Sequence, residues 1–112
     1  MRPGTPERKK AQRQLKAVAD SHNSDLSALA KMALASVYRN SNRTKDAVDL
    51  YKQLMDKPTR TVGKSAAEIE LAETYQAAGM NPDAKKLYEQ IQKEAPQSEA
   101  AQLASAKLQE MK

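Results

Sequence analysis

Leu34-Ala35-Ser36-Val37-Tyr38 and then Asp46-Ala47-Val48-Asp49-Leu50-Tyr51-Lys52-Gln53-Leu54 come back as Leu71-Ala72-Glu73-Thr74-Tyr75 and Asp83-Ala84-Lys85-Lys86-Leu87-Tyr88-Glu89-Gln90-Ile91, each residue 37 positions further on. Self-similarity at a fixed period marks a repeat architecture, in which each unit buries its apolar face only against its neighbours. The expected fold is all-α, a short right-handed α-solenoid of antiparallel helix pairs with about six helices. Such a fold offers a surface for binding and not a catalytic cavity.

The two copies differ in ways that keep a physical role. Asn42 becomes Gly79, the two residue types that best tolerate positive φ, and Thr44 becomes Asn81, both good N-caps, the second followed by Pro82. Apolar spacing and caps predict helices over Pro6 to Ala19, opened by Thr5, then Asp25 to Arg39 and Lys45 to Asp56. In the second of these, Leu26, Leu29, Ala30, Ala33, Leu34, Val37 and Tyr38 form a stripe broad enough for neighbours on two sides. After a longer connection, Ser65 and Glu68 read as a capping box opening a helix to Ala78. Further helices are expected over Pro82 to Glu94 and, after Pro96, Ser98 to Glu110, the last turning Ala101, Leu103, Ala104 and Leu108 inward.

Composition narrows the classes of function. The chain has 112 residues, one domain's worth, with four Tyr, no Phe, no Trp and no Cys. The core must therefore be aliphatic and rich in Ala, and disulfides, thiolate metal sites and Cys nucleophiles are excluded together. No apolar run approaches the roughly 18 residues of a membrane span, and the first residues lack the apolar block of a signal peptide. The net charge of +5 is concentrated: Arg2, Arg8, Lys9, Lys10, Arg13 and Lys16 face one acid, Glu7, and the remainder of the chain balances.

Counted from Ala28, the first copy places Leu34, Ala35, Tyr38, Ala47 and Tyr51 where the tetratricopeptide repeat wants a large residue, a small one, Tyr, Ala and an aromatic, with Pro58 and Pro96 closing the units. The chain resembles that family from about residue 28 to 112. It departs from it at the fourth position, where Lys31 and Glu68 replace an aromatic, and in its longer period. Lys57-Pro58-Thr59, Leu71-Ala72-Glu73-Thr74-Tyr75 and Lys85-Lys86-Leu87-Tyr88-Glu89-Gln90-Ile91 resemble bacterial envelope members, in particular the ancillary subunit of the Sec translocon. The resemblance implies the following organisation: residues 1–24 as the second helix of an incomplete preceding repeat, 25–58 and 59–97 as repeats, and 98–112 as a capping helix. It also implies a C-terminal part of a longer protein, with any membrane anchor in a segment outside this chain, and the periplasm or cell envelope as compartment, with the cytoplasm as the alternative.

In this family the first helix of each unit lines a concave groove. Carried over, the groove residues are Met32, Ser36, Arg39 and Asn40, then Ile69, Glu73 and Gln76. The basic clamp by which some members grip a C-terminal carboxylate is absent, since its places hold Met32 and Ser36; an extended or helical apolar segment suits the groove better.

Other candidates read as structure. Val62-Gly63-Lys64-Ser65 resembles the tail of a phosphate loop, but Pro58 stands where the first Gly belongs, so a flexible linker is expected. Glu68 and Glu70 lie about 200° apart around a helix, which suggests a solvated face. His22 is the sole His, and one ligand makes no metal site. The four Tyr fall where the helices of a pair meet, so Tyr38→Ala or Tyr75→Ala is expected to cost roughly 3–5 kcal/mol.

The reading is a non-enzymatic module for a protein or peptide partner, with no cofactor. Two alternatives remain. A nucleic-acid adaptor would use Arg8, Lys9, Lys10, Arg13 and Lys16, although no aromatic interleaves them; self-association would run through the incomplete first unit, giving a homo-oligomer.

Overall fold

Helical spacing of apolar residues, interrupted by left-handed or extended residues, builds six helices among residues 6–112, the part of the chain that the computed structural model describes. They are α1 (Pro6–Ala19), α2 (Ser24–Asn40), α3 (Thr44–Asp56), α4 (Lys64–Ala77), α5 (Asn81–Glu94) and α6 (Glu99–Glu110), and no strand occurs among the described residues. Each helix packs on the next, and α4 also touches α6. That order of contacts is the all-α solenoid expected from the repeat. The molecule measures 40 × 32 × 17 Å with a radius of gyration of 14.5 Å. A globule of this length would have about 13 Å, so the stack is already elongated.

The turns within the α2–α3 and α4–α5 pairs are built alike. Asn42 at φ 60° and Gly79 at φ 77° are left-handed, and the next amides, Arg43 N and Met80 N, return to the carbonyls of Tyr38 and Tyr75 at 2.8 Å. These bonds satisfy two helix-end carbonyls in a Schellman-type closure. The closure also starts the following helix one residue earlier than side-chain chemistry suggests. Arg43 and Met80 are the N-caps, their carbonyls accepting from Ala47 N and Ala84 N at 3.1 Å, whereas Thr44 and Asn81 are already helical and cap nothing.

Similarly, Gly63 is the N-cap of α4, so the expected Ser65–Glu68 capping box does not form. Side chains do cap elsewhere: Asn23 Oδ1 accepts from Leu26 N at 3.1 Å and Ser98 Oγ from Ala101 N at 3.0 Å. The expected Thr5 cap lies outside the described residues.

The core is made of close-packed alanines around two tyrosines. Ala35, Ala72, Ala47 and Ala84, paired across the repeat, are fully buried, as are Tyr51 and Tyr88. Tyr38 and Tyr75, expected to be equally central, are only partly buried. They sit at the last turn of a helix, where the chain turns away. Leu26, Leu29 and Leu103 are 48 %, 49 % and 42 % exposed, against the expectation that they turn inward. Each apolar stripe is wider than the surfaces its helix packs on, α1 and α3 for α2, α5 and α4 for α6.

The connection between α3 and α4 is ordered, not a loose linker. Val62 is buried, Thr61 Oγ1 donates to the Asp25 carbonyl at 2.7 Å, and Arg60 N donates to Asp25 Oδ1 at 3.3 Å.

Candidate partner-binding face

Alternate helices are joined by ion pairs. Arg39 Nη1 of α2 reaches Glu70 Oε2 of α4 at 3.5 Å, and Lys107 Nζ of α6 reaches Glu73 Oε2 of α4 at 3.8 Å and Glu110 Oε2 at 4.0 Å. These contacts place α2, α4 and α6 side by side on one face. The pairs are partly exposed, so each contributes about 0–1 kcal/mol and acts mainly to fix side-chain positions. Burial raises the Glu70 carboxyl, the Glu73 charge adds to the rise and Arg39 opposes it.

The groove residues expected from sequence divide into three groups. Ser36 and Asn40 are exposed, one helical turn apart, and open to a partner. Arg39, Glu73 and Gln76 are engaged within the protein: the first two in the ion pairs, the third accepting a hydrogen bond from Tyr88 Oη at 3.1 Å. Burial, with Glu73 and Glu110 nearby, pushes the Tyr88 hydroxyl up to about 12, so it stays a donor. Met32 is partly buried against the core, and Ile69 is buried within it at 8 % exposure, leaving little surface for a partner. Lys107 was not singled out from sequence, and Glu70 was read there only as part of a solvated face; both belong to this face. Only the fold brings α6 beside α4.

Glu68 was expected on a solvated face and is fully buried instead. Its spacing from Leu71, Ala72 and Tyr75 (i, i+3, i+4, i+7) already places it on the inward stripe of α4. Glu68 Oε2 accepts from Gln90 Nε2 at 3.4 Å, the same amide donates to Glu94 Oε1 at 2.9 Å, and Lys64 Nζ lies 3.0 Å from Glu94 Oε1. Glu68 Oε1 meets no donor among the described residues. Burial, followed by the Glu94 charge, pushes Glu68 up to about 7 against the pull of Lys64, and a protonated Glu68 can donate to Glu94. The Gln90 and Lys64 donors hold the Glu94 carboxyl below its ordinary value. The pair ties α4 to α5 through Gln90 and Lys64.

Lys9, Arg13 and Lys16 share one face of α1. Lys9, Lys10, Arg13 and Lys16 are exposed, and Arg8 Nη1 donates to Ser41 Oγ at 3.0 Å. Among the described residues no group of three or more His, Cys, Asp and Glu side chains is placed to hold a metal ion, and no helix is long and apolar enough to cross a membrane.

A family model described as tetratricopeptide repeat matches residues 41–108, from the turn before α3 into α6. No curated protein and no solved structure gives a match.

Proposed function

Because the chain belongs to the tetratricopeptide repeat family, whose repeats generally mediate protein–protein interactions, we propose that it is a non-enzymatic scaffold binding a partner segment along the face of α2, α4 and α6. The observation that carries this reading is the pair of bridges Arg39–Glu70 and Lys107–Glu73. They link α2 to α4 and α4 to α6 and fix the charged side chains there, while Ser36 and Asn40 of α2 stay exposed. The partner is a peptide segment whose burial along the stacked helices supplies the affinity, with alternating charges on the face setting its register.

The finer reading, a subunit of the bacterial envelope of the type that accompanies the Sec translocon, is supported by the resemblance around Lys57-Pro58-Thr59 and Lys85 to Ile91. Self-association through α1 has less to drive it. Ala11, Leu15 and Val18 are already half-buried on α2, the one helix that α1 packs against.

The test compares the unchanged chain with Ser36→Arg and Asn40→Arg as baits in a bacterial lysate, washed at 50 and then 200 mM salt. We expect a protein partner that survives the high-salt wash on the original chain and is lost from both variants, with their melting temperatures unchanged. Retention of the same partner by both variants would move binding away from this face.

A further inference from the structure

Lys9, Arg13 and Lys16 follow one another at i, i+4 and i+7 on the exposed side of α1, and no acid pairs with them among the described residues. The last turn of α2 brings them an aromatic ring, Tyr38, and the turn that follows a fourth cation, Arg43. Arg43 Nη1 donates to Gln12 Oε1 of α1 at 3.5 Å, Arg43 Nε donates to Asp46 Oδ2 at 2.8 Å, and the guanidinium carbon lies 4.2 Å from the centroid of the Tyr38 ring. Lys9, Gln12, Arg13, Lys16, Tyr38 and Arg43 together line a groove of about 350 Å³. The sequence showed the cations without any aromatic among them; the fold supplies it from 22 residues beyond Lys16, at Tyr38.

We propose that this groove binds a single-stranded nucleic acid, with phosphates along Lys9, Arg13 and Lys16 and a base stacked on the open face of the Arg43 guanidinium. Along the helix axis the cations are about 6 and 4.5 Å apart, a spacing on the scale of successive phosphates, which rise about 3.4 Å per nucleotide along the axis of a stacked strand and more in an extended one. The plane of Arg43 is what favours a nucleic acid over an acidic peptide. Its Nε donates to Asp46 and one Nη1 hydrogen to Gln12, which anchors the guanidinium over the Tyr38 ring. A planar cation held in this way and 45 % exposed is a platform for a base, a contact that a peptide carboxylate does not make. The volume lies at the lower end of the roughly 300–1,000 Å³ typical of small-ligand clefts, room for a nucleotide and not for a duplex. Asp46 removes part of the Arg43 charge, which leaves the phosphates to the three residues of α1. This site is independent of the peptide-binding face proposed above.

The test is fluorescence anisotropy of a labelled ten-nucleotide oligothymidylate with the full chain. Three phosphate contacts predict a log–log salt slope near −2, or roughly a 20-fold loss of affinity between 50 and 200 mM salt. Replacing Lys9, Arg13 and Lys16 together by Gln should abolish both binding and slope, with circular dichroism and melting temperature unchanged. An abasic oligonucleotide of equal length should bind about tenfold more weakly to the original chain, and Arg43→Lys, which keeps the charge and loses the plane, should erase that difference. The proposal is overturned if no binding is seen at 50 mM salt, or if the original chain binds abasic and thymine strands equally. It is also overturned if a poly-glutamate peptide or an anionic phosphatidylglycerol vesicle binds the groove more tightly than the oligonucleotide. The abasic comparison needs only the original chain, so it decides the question even if Arg43→Lys does not fold.

Discussion

Glu68 is the residue whose chemistry reaches furthest into the behaviour of this protein. Its carboxyl titrates near 4.5 when free and is pushed up to about 7 in the fold, by burial first and by Glu94 second. The folded chain therefore binds this proton more tightly than the unfolded chain. The stability it represents is fully present below about pH 4.5 and is lost as the pH rises through about 7. Glu70, also raised by burial, acts in the same direction, whereas Glu94, whose carboxyl is lowered, takes stability away at the acid end. Thermal melts at pH 5 and pH 8 should differ by roughly 1–3 kcal/mol in favour of pH 5. Glu68→Gln, a neutral isostere that can still donate to Glu94, should flatten the profile and melt no lower than the original chain at pH 8. A wild-type profile that rises from pH 5 to 8 would show that Glu68 is ionised in the fold. Tyrosine substitutions make a second contrast at this scale. Tyr51→Ala or Tyr88→Ala should cost roughly 3–5 kcal/mol, and Tyr88→Phe about 1 kcal/mol for the bond to Gln76. Tyr38→Ala should cost less than either alanine change, because Tyr38 is only partly buried.

Caps decide the boundaries of the elements, and the structure separates those that act from those that only resemble caps. Asn23 and Ser98 accept amide hydrogens from the first turns of α2 and α6, so Asn23→Ala and Ser98→Ala should each lower stability by about 1 kcal/mol. Thr44 and Ser65 match the pattern equally well but make no cap bond. Alanine at either should be neutral within a few tenths of a kcal/mol. Chemical denaturation of the four variants checks this, and equal losses at all four would refute the assigned helix starts. Gly79 belongs to the same scale. At φ 77° it lies in the left-handed region, and a Cβ there meets open space, so Gly79→Ala should cost about 1 kcal/mol from backbone conformation alone.

At the scale of the whole molecule, a stack in which each helix touches mainly its neighbours is quasi-one-dimensional, and its ends are supported on one side only. Native-state hydrogen exchange should therefore find the slowest amides in α3, α4 and α5 and the fastest helical amides in α1, which packs on α2 alone. Uniform protection across the six helices would mean that the stack opens as one unit. The sequence by itself determined the repeat, the six helices and the left-handed turns at Asn42 and Gly79, because these rest on local periodicity and on backbone preferences that a residue carries with it. It placed the basic residues on α1 and named Arg39, Glu73 and Gln76 without their partners. The spacing of Glu68 put it on the inward stripe of α4, but only the packed helices set it beside Gln90 and Glu94, bridged Arg39 and Lys107 to α4, made Ile69 core and brought Tyr38 and Arg43 to the cationic groove. Each of these depends on which helix lies opposite, and a stripe of residues on one helix carries no record of what the next one presents to it.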